Sequence, residues 1–554
     1  MKTFFRSATL LLVLLVGAAT AIQAQSRRYF VYFKDKAGTP YRVGQPEAFL
    51  SARALSRRSR QGIAVRERDL PVNPTYVAQV RAVSGVGQVL YTSRWLNGAV
   101  VVADSLPMVQ VQKLAAVQSI RLLSVRPPAA SAPAGTVVPT PTPAAPTTPR
   151  ATYGKAYAQA QQIGAVAMHN AGYRGEGMQI AIFDGGFPGA ERITALQNLQ
   201  QQNRVLGTRN FVDGGRSVYL RNSHGTNCLS LIGGELPGYY IGIAPRASFY
   251  LCITEDVGSE YPIEEANWLA AAEYADSVGV DVISSSLGYT TFDLTRLSHT
   301  YAELNGRTAI GSLAALGAAR AGIVVLNSAG NDGTDSWHYI SVPADADSII
   351  SVGATDSLRT HASFSSYGPT ADGRIKPTLS CMGVASAVLN GSGQVLRGNG
   401  TSYSCPEMAG LAAAFWQANP TLTAQQVITA LEQSATQAQN PDNVLGYGIP
   451  DFPTAYNLRH PGAALVPVGE LAVYPNPSQT GQLMLALPLS LRSQPLRARI
   501  IDSRGATVAD LPLTPDGAAS VPLTIPRHLA PGVYQCVVQP TTDGPKQTAR
   551  FVVQ

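Results

Sequence analysis

Residues 178–186 read Met178-Gln179-Ile180-Ala181-Ile182-Phe183-Asp184-Gly185-Gly186, an apolar run that ends on an aspartate and two glycines. A strand with one wet face alternates apolar and polar residues; this run does not, so burial on both faces is expected. The glycines then turn the chain and leave Asp184 at the carboxyl end of the strand. The same signal recurs outward from here, at Ala247–Ile253, Val280–Ser284, Gly322–Asn327 and Ile349–Val352. Helix-like stretches lie between, among them Ile263–Val278 and Ala309–Ala321. Apolar strands alternating with helices predict an α/β unit, a mostly parallel sheet covered on both faces, spanning residues 151–458.

The flanks have different textures. Residues 127–150 hold eight prolines, the rest being mostly Ala, Thr and Ser, too little apolar bulk to pack. They read as a linker. Before it, residues 25–126 suit a small α+β module: strand-like Tyr29–Phe33, Val86–Tyr91 and Gly98–Val102, helix-like Pro46–Arg60 and Met108–Val117. After 458, short β-type segments separated by turns (Leu471–Tyr474, Leu496–Asp502, Ala519–Ile525, Val533–Val538, Ala549–Val553) predict a C-terminal β-sandwich over 467–554.

The 554 residues are 45% hydrophobic and 14% charged, which excludes a mostly disordered or coiled-coil chain. A net charge of +7 is concentrated in residues 25–126, with 16 lysines and arginines against 5 acidic residues; residues 127–554 are net negative. No nucleic-acid-binding motif accompanies the basic residues, so no nucleic-acid partner is expected. Opposite charges suggest instead that the module and the α/β unit attract each other. Residues 1–24 read as a secretory signal peptide: Lys2 and Arg6, an apolar run from Ala8 to Ala18, and a small residue, Ala24, before the cut. An uncleaved anchor is the alternative; no other run is long enough for a transmembrane segment. Export permits a disulfide among Cys228, Cys252, Cys381, Cys405 and Cys536, with the pairing left open.

Within the α/β unit, three further segments carry residue types that belong together chemically. His224-Gly225-Thr226 opens a helix-like run, Asn327-Ser328-Ala329-Gly330-Asn331 closes a strand, and Gly400-Thr401-Ser402-Tyr403-Ser404-Cys405-Pro406 opens a second helix. A serine hydroxyl is a poor nucleophile until an imidazole removes its proton. The imidazole needs a carboxylate to hold its tautomer and balance its charge. An oxyanion on the attacked carbonyl needs fixed donors, such as an asparagine amide and an N–H at a helix start.

These segments resemble the subtilisin-like serine proteases, the subtilase family, in which the nucleophile sits in Gly-Thr-Ser-x-x-x-Pro, here Gly400 to Pro406. The order Asp184, His224, Ser402 is that family's order. The resemblance implies an α/β/α sandwich and an endopeptidase with Ser402 as nucleophile, His224 as base, Asp184 orienting the base and Asn331 in the oxyanion hole. It also implies that Ser286, Leu287 and Gly288 bind the substrate backbone as an added strand, and assigns Gly242-Ile243-Ala244-Pro245 to the turn after the histidine helix. Departures are Gly185 after the aspartate, Tyr403, Glu407, and Cys381-Met382-Gly383 without proline. Glu407 is the one expected to adjust local electrostatics. No cofactor or metal is expected; Glu255, Asp256 and Glu260 read as a solvated acidic loop, calcium ligation being the alternative.

The basic module resembles a protease propeptide, an intramolecular chaperone and inhibitor, whose Arg53, Arg57, Arg58 and Arg60 would face the catalytic unit. A permanent accessory domain is the alternative. The tail, with Val473-Tyr474-Pro475-Asn476-Pro477-Ser478, resembles a sorting domain of the type IX secretion machinery, the alternative being a carbohydrate-binding or spacer sandwich. The expected product is thus exported, extracellular or surface-attached, and acts on protein or peptide substrates. A catalytically silent adhesin on the same fold is the competing reading.

Overall fold

The computed structural model describes residues 27–128, 148–215, 217–461, 465, 471–474, 476–478, 482–488, 491–492, 494–515, 520–524, 529–541 and 546–554. The signal-peptide reading at 1–24 and nearly all of the linker therefore lie outside the described residues. Two compact units are present: residues up to 40 together with 71–128, and 41–70 together with 129–554. Residues 41–70 thus make most of their contacts with the larger unit.

In the smaller unit, strands β1 (Arg27–Phe33), β2 (Val86–Ser93), β3 (Gly98–Ala103) and β4 (Val117–Ser124) form an antiparallel sheet in the order β2-β3-β1-β4. Helices Pro74–Arg81 and Ser105–Gln112 accompany it. Tyr29, Val31, Phe33, Val101 and Val111 are among the residues of its core. The helix expected to reach Val117 ends at Gln112, because Lys113 to Ala116 turn the chain and Val117 already pairs with Phe33 in the sheet.

The larger unit is built on seven parallel strands: β5 (Gln179–Asp184), β6 (Val205–Asn210), β7 (Ser248–Ile253), β8 (Val282–Ser285), β9 (Val324–Ser328), β10 (Ile350–Thr355) and β11 (Leu379–Met382). Their order is β11-β10-β9-β8-β5-β7-β6. Every residue of β8, β9 and β10 is buried, their small polar residues Ser284, Ser285, Asn327, Ser328, Ser351 and Thr355 included, as two-sided burial of a central strand requires. Edge strand β6 is half exposed and reads Val-Leu-Gly-Thr-Arg-Asn, so it lacks that signal. Among the flanking helices, α2 (His224–Gly233) packs on α5 (Thr401–Ala418), and α3 (Ile263–Val278) packs on α4 (Ile310–Arg320). The chain lays β6 and β7 on one side of β5, then crosses to place β8 on the other. At such a reversal the crevice at the carboxyl ends of the strands is where open α/β sheets bind ligands.

Residues 41–70 pack at the amino ends of the central strands, against the segments that lead into β5, β8 and β9. Helix α1 (Ala52–Arg60) is capped by Ser51, whose Oγ accepts from Ala54 N at 3.2 Å. Arg57, wholly buried, donates to Asp276, to Val280 O at 2.6 Å and to Ala321 O at 3.3 Å. Arg58 donates to the other Asp276 oxygen at 2.8 Å and to both oxygens of Asp69 at 3.2 Å. Arg53 reaches Asp281 and the carbonyls of Gly279 and Gly177, each at 3.0 Å. Gly279, at φ +90°, ends α3 in the left-handed region, and a Cβ there would lie 2.7 Å from Ala54 N. Three of the four arginines singled out thus face the α/β body; Arg60 stays exposed.

The C-terminal residues form two antiparallel sheets. One holds Ala472–Tyr474, Gln482–Ala486 and Ser520–Thr524; the other holds Leu496–Ile501, Thr507–Leu513, Gly532–Pro540 and Gln547–Val553. Leu485, Ile500, Leu523, Val538 and Phe551 share one core between them. Asn476 ties its segment to the last strand, accepting from Val552 N at 2.8 Å and donating to Arg550 O at 3.1 Å. All five cysteines are buried and unpaired, so no disulfide forms.

Candidate active site

At the carboxyl end of β5, Asp184 is 1% exposed and lies against the first residue of α2. Its two oxygens sit 2.9 and 3.0 Å from His224 Nδ1, and Oδ1 also accepts from Gly185 N at 2.7 Å. That contact assigns the Nδ1 position as the protonated one and leaves Nε2 as the basic nitrogen. Glycine follows the histidine for a steric reason: a Cβ on Gly225 would meet Gly186 O at 2.4 Å and Asp184 Cβ at 2.9 Å. Burial opposes an imidazolium here, but the Asp184 carboxylate, with a smaller share from Cys228, more than offsets it and raises the His224 pKa well above the usual value. Cys228, one turn on, has its Sγ 3.8 Å from His224 Nδ1, and burial keeps it a neutral thiol.

Ser402 is the second residue of α5, so its N–H is one of the donors that a helix start leaves without an intrahelical partner. Four residues on, Pro406 has no N–H to give, and the Ser402 carbonyl loses its usual helical bond. That carbonyl accepts instead from Ser286 Oγ at 2.8 Å and Cys228 Sγ at 3.5 Å. In return Ser402 Oγ donates to Ser286 O at 3.3 Å. The serine is thereby fastened to the segment that follows β8 and, through Cys228, to the histidine helix. The hydroxyl is thus directed at the Ser286 carbonyl, and a hydrogen bond of a catalytic serine to its base can tighten only when substrate binds.

Asn331 is exposed, with a defined orientation. Its Oδ1 accepts from Thr401 N at 2.9 Å and Thr401 Oγ1 at 3.1 Å, so the amide NH₂ is turned away from the helix start and stays available as a donor. Ser286 and Leu287 are buried and Gly288 is exposed. Leu287 O is occupied by Asn327 Nδ2 at 2.8 Å and Ser328 Oγ at 3.3 Å. A Cβ on Gly288 would fall 2.2 Å from Ser341 Oγ, which places Ser341 beneath this segment. The turn Gly242–Pro245 lies under α5, where a Cβ on Gly410 would meet Ile243 Cβ at 2.7 Å. Asp184 and His224 are in direct contact at the carboxyl end of β5, Ser402 is tied to Ser286 after β8, and Asn331, after β9, holds Thr401.

The acidic residues depart from expectation. Glu255 and Asp256 are buried, and Glu260 is half-buried, so no solvated loop is present. Val257 and Glu255 pack on Gly185, next to the site. The carboxylates of Glu255, Glu260 and Glu264 come within 4.8 Å of one another, and Tyr289 OH donates to Glu255 Oε2 at 3.2 Å. Burial raises all three carboxyl pKa values; Glu260, beside Glu255 and Asp293, is pushed up to about 8. Three such oxygens are the donor chemistry a hard cation takes. Asp184, His224 and Cys228 form the other three-donor group among the described residues. Glu407 is wholly buried, and neither carboxyl oxygen has a hydrogen-bond partner. Burial lifts its pKa well above the carboxylate range, so it stays protonated and brings no charge to the site.

Comparison with known proteins follows the same lines. Residues 175–448 match the subtilase family model, Peptidase S8, and residues 28–134 match the Peptidase S8 propeptide domain of Bacteroidota. The chain belongs to the subtilase family. Subtilisin from Bacillus pumilus is 31% identical over 280 residues, covering 50% of this chain and 90% of that protein. Subtilisin NAT from Bacillus subtilis subsp. natto is 32% identical over 284 residues, 50% of this chain. Serine protease AprX from Bacillus subtilis (strain 168) is 30% identical over 304 residues, 50% of this chain. The chain spans 66% and 65% of the length of these last two. No helix among the described residues is long and apolar enough to cross a membrane.

Proposed function

We propose that the chain is a secreted serine endopeptidase, made with an N-terminal propeptide and acting through an acyl-enzyme on Ser402. The observation that carries this reading is the Asp184–His224 contact set beside a serine whose own helix start is held by Asn331. In this mechanism His224 Nε2 takes the hydroxyl proton as Ser402 Oγ attacks the scissile carbonyl, while Asp184 holds Nδ1–H and balances the imidazolium. Asn331 Nδ2 and the Ser402 N–H receive the oxyanion. The imidazolium then protonates the departing amine. A water, deprotonated by the same nitrogen, releases the acid and restores the serine. The substrate would lie extended against Ser286–Gly288, its backbone adding a strand. The tail is read as a type IX sorting domain, supported by the way Asn476 of the Pro-Asn-Pro segment is built into its last strand.

A fluorophosphonate probe tests the core of this proposal. The processed protein should be labelled, the Ser402→Ala variant should stay dark, and casein turnover should vanish with the label. Removal of Asn331 as Asn331→Ala should leave labelling detectable and lower kcat by on the order of 10²–10³. A chain that binds casein without cleaving it and resists the probe would be an adhesin. For the tail, a truncation after Leu458 should leave the protein inside the cell; undiminished export would refute the sorting role.

A further inference from the structure

On the side of the larger unit away from the crevice, a cavity of about 450 Å³ opens beside α1. Arg58, Arg66 and Arg68 line it from residues 41–70, Arg320 lines it from the last turn of α4, and Asp69 is its one acidic wall. Asp69 is already engaged, accepting from both Arg58 nitrogens at 3.2 Å and from Arg66 N at 2.9 Å. Asp276, behind Arg58, is shared between Arg57 and Arg58. Five arginines therefore meet two carboxylates here. Burial, with Arg320 and Arg58 close by, holds the Arg68 pKa below its usual value, as crowded guanidiniums do. Arg58 is only 2% exposed, yet its Nε has no hydrogen-bond partner. That unbonded donor adds to the local excess of guanidinium N–H groups over acceptors.

We propose that this cavity binds a phosphate-class oxyanion, which joins residues 41–70 to the end of α4. Guanidiniums present paired N–H groups that match the spacing of phosphate oxygens, and a polyanion answers several of them at once. Because three arginines come from one segment and Arg320 from another, the complete site exists only while α1 is docked. Ligand binding therefore stabilises the docked form by mass action. The site lies toward the amino ends of the strands, the opposite end from Ser402, so the anion acts on retention of the N-terminal segment and not on the cleft.

The test uses the full chain carrying Ser402→Ala, which keeps the segment attached whatever the serine does. Its thermal unfolding and the rate of tryptic cleavage after Arg66 and Arg68 are followed against inorganic phosphate and pyrophosphate, with sodium chloride at matched ionic strength as control. Saturable stabilisation is expected with both anions, stronger with pyrophosphate, together with slower cleavage. Arg320→Gln and Arg66→Gln, both exposed positions, should each weaken the apparent affinity about tenfold while circular dichroism stays native. Equal stabilisation by chloride, no saturation, or unchanged affinity in both variants would overturn the proposal.

Discussion

Replacing Arg57 by methionine isolates what holds residues 41–70 in place. The substitution keeps the length of the stem and removes every donor. Asp276 retains Arg58 at 2.8 Å, but the carbonyls of Val280 and Ala321 lose the guanidinium that now reaches them at 2.6 and 3.3 Å. Each buried acceptor left empty costs about 1–3 kcal/mol, and breaking a buried ion pair from one side costs about 3–5 kcal/mol in all. Docking of α1 should therefore weaken by a factor on the order of 10²–10⁴. Hydrogen exchange of the 52–60 amides, measured in the Ser402→Ala chain, reads this directly as faster exchange confined to that helix and its neighbours. Arg60→Met is the internal control: Arg60 is exposed, and its loss should change exchange by less than about twofold. If the two variants exchange alike, the buried clamp is not what holds the segment.

Two further outcomes concern ionisation. His224 must be neutral to take a proton, so kcat/KM rises with pH through its pKa, which Asp184 holds above the usual value. Asp184→Asn should move that ascending limb to lower pH and cut the plateau by on the order of 10⁴; a limb that stays put would show that another group sets it. Glu260, with its pKa pushed up to about 8, keeps a proton in the folded state that the unfolded chain has released by then. Stability accordingly falls as pH rises from the unfolded value toward 8. Glu260→Gln should raise the unfolding temperature at pH 9 much more than at pH 5, in chelator-treated buffer, by an amount on the order of 1–3 kcal/mol in stability. An equal offset at both pH values would count against burial as the cause.

Central elements of the fold were legible because burial on two faces writes itself into composition. The runs around Ile180, Ile283, Val325 and Ile350 are rich in branched apolar residues with only small polar ones between, and all became interior strands. Edge strand β6 and the short β11, with Ser380 and Cys381 buried by packing rather than by type, left no such mark. Asp184, His224, Asn331 and Ser402 could be singled out because each sits in a turn or helix start whose neighbours are small for steric reasons. What stayed hidden depends on contacts between distant segments. Nothing near Glu255 announces that Glu264, at the start of α3, will bury alongside it, and nothing near Arg57 distinguishes it from exposed Arg60 until Asp276 arrives from the far end of α3. The basic charge of residues 41–70 is likewise visible in the sequence, but its partners Asp276 and Asp281 are not.

The proline one turn into α5 has a mechanical consequence. By freeing the Ser402 carbonyl for Ser286 Oγ, it makes the nucleophile's rung of the helix a satellite of the peptide-binding segment rather than of the helical rod behind it. Sway of α5 along its axis is thus decoupled from the attack distance, whereas any shift of the Ser286–Gly288 rail carries serine and bound peptide together, preserving their alignment while the rest of the scaffold breathes.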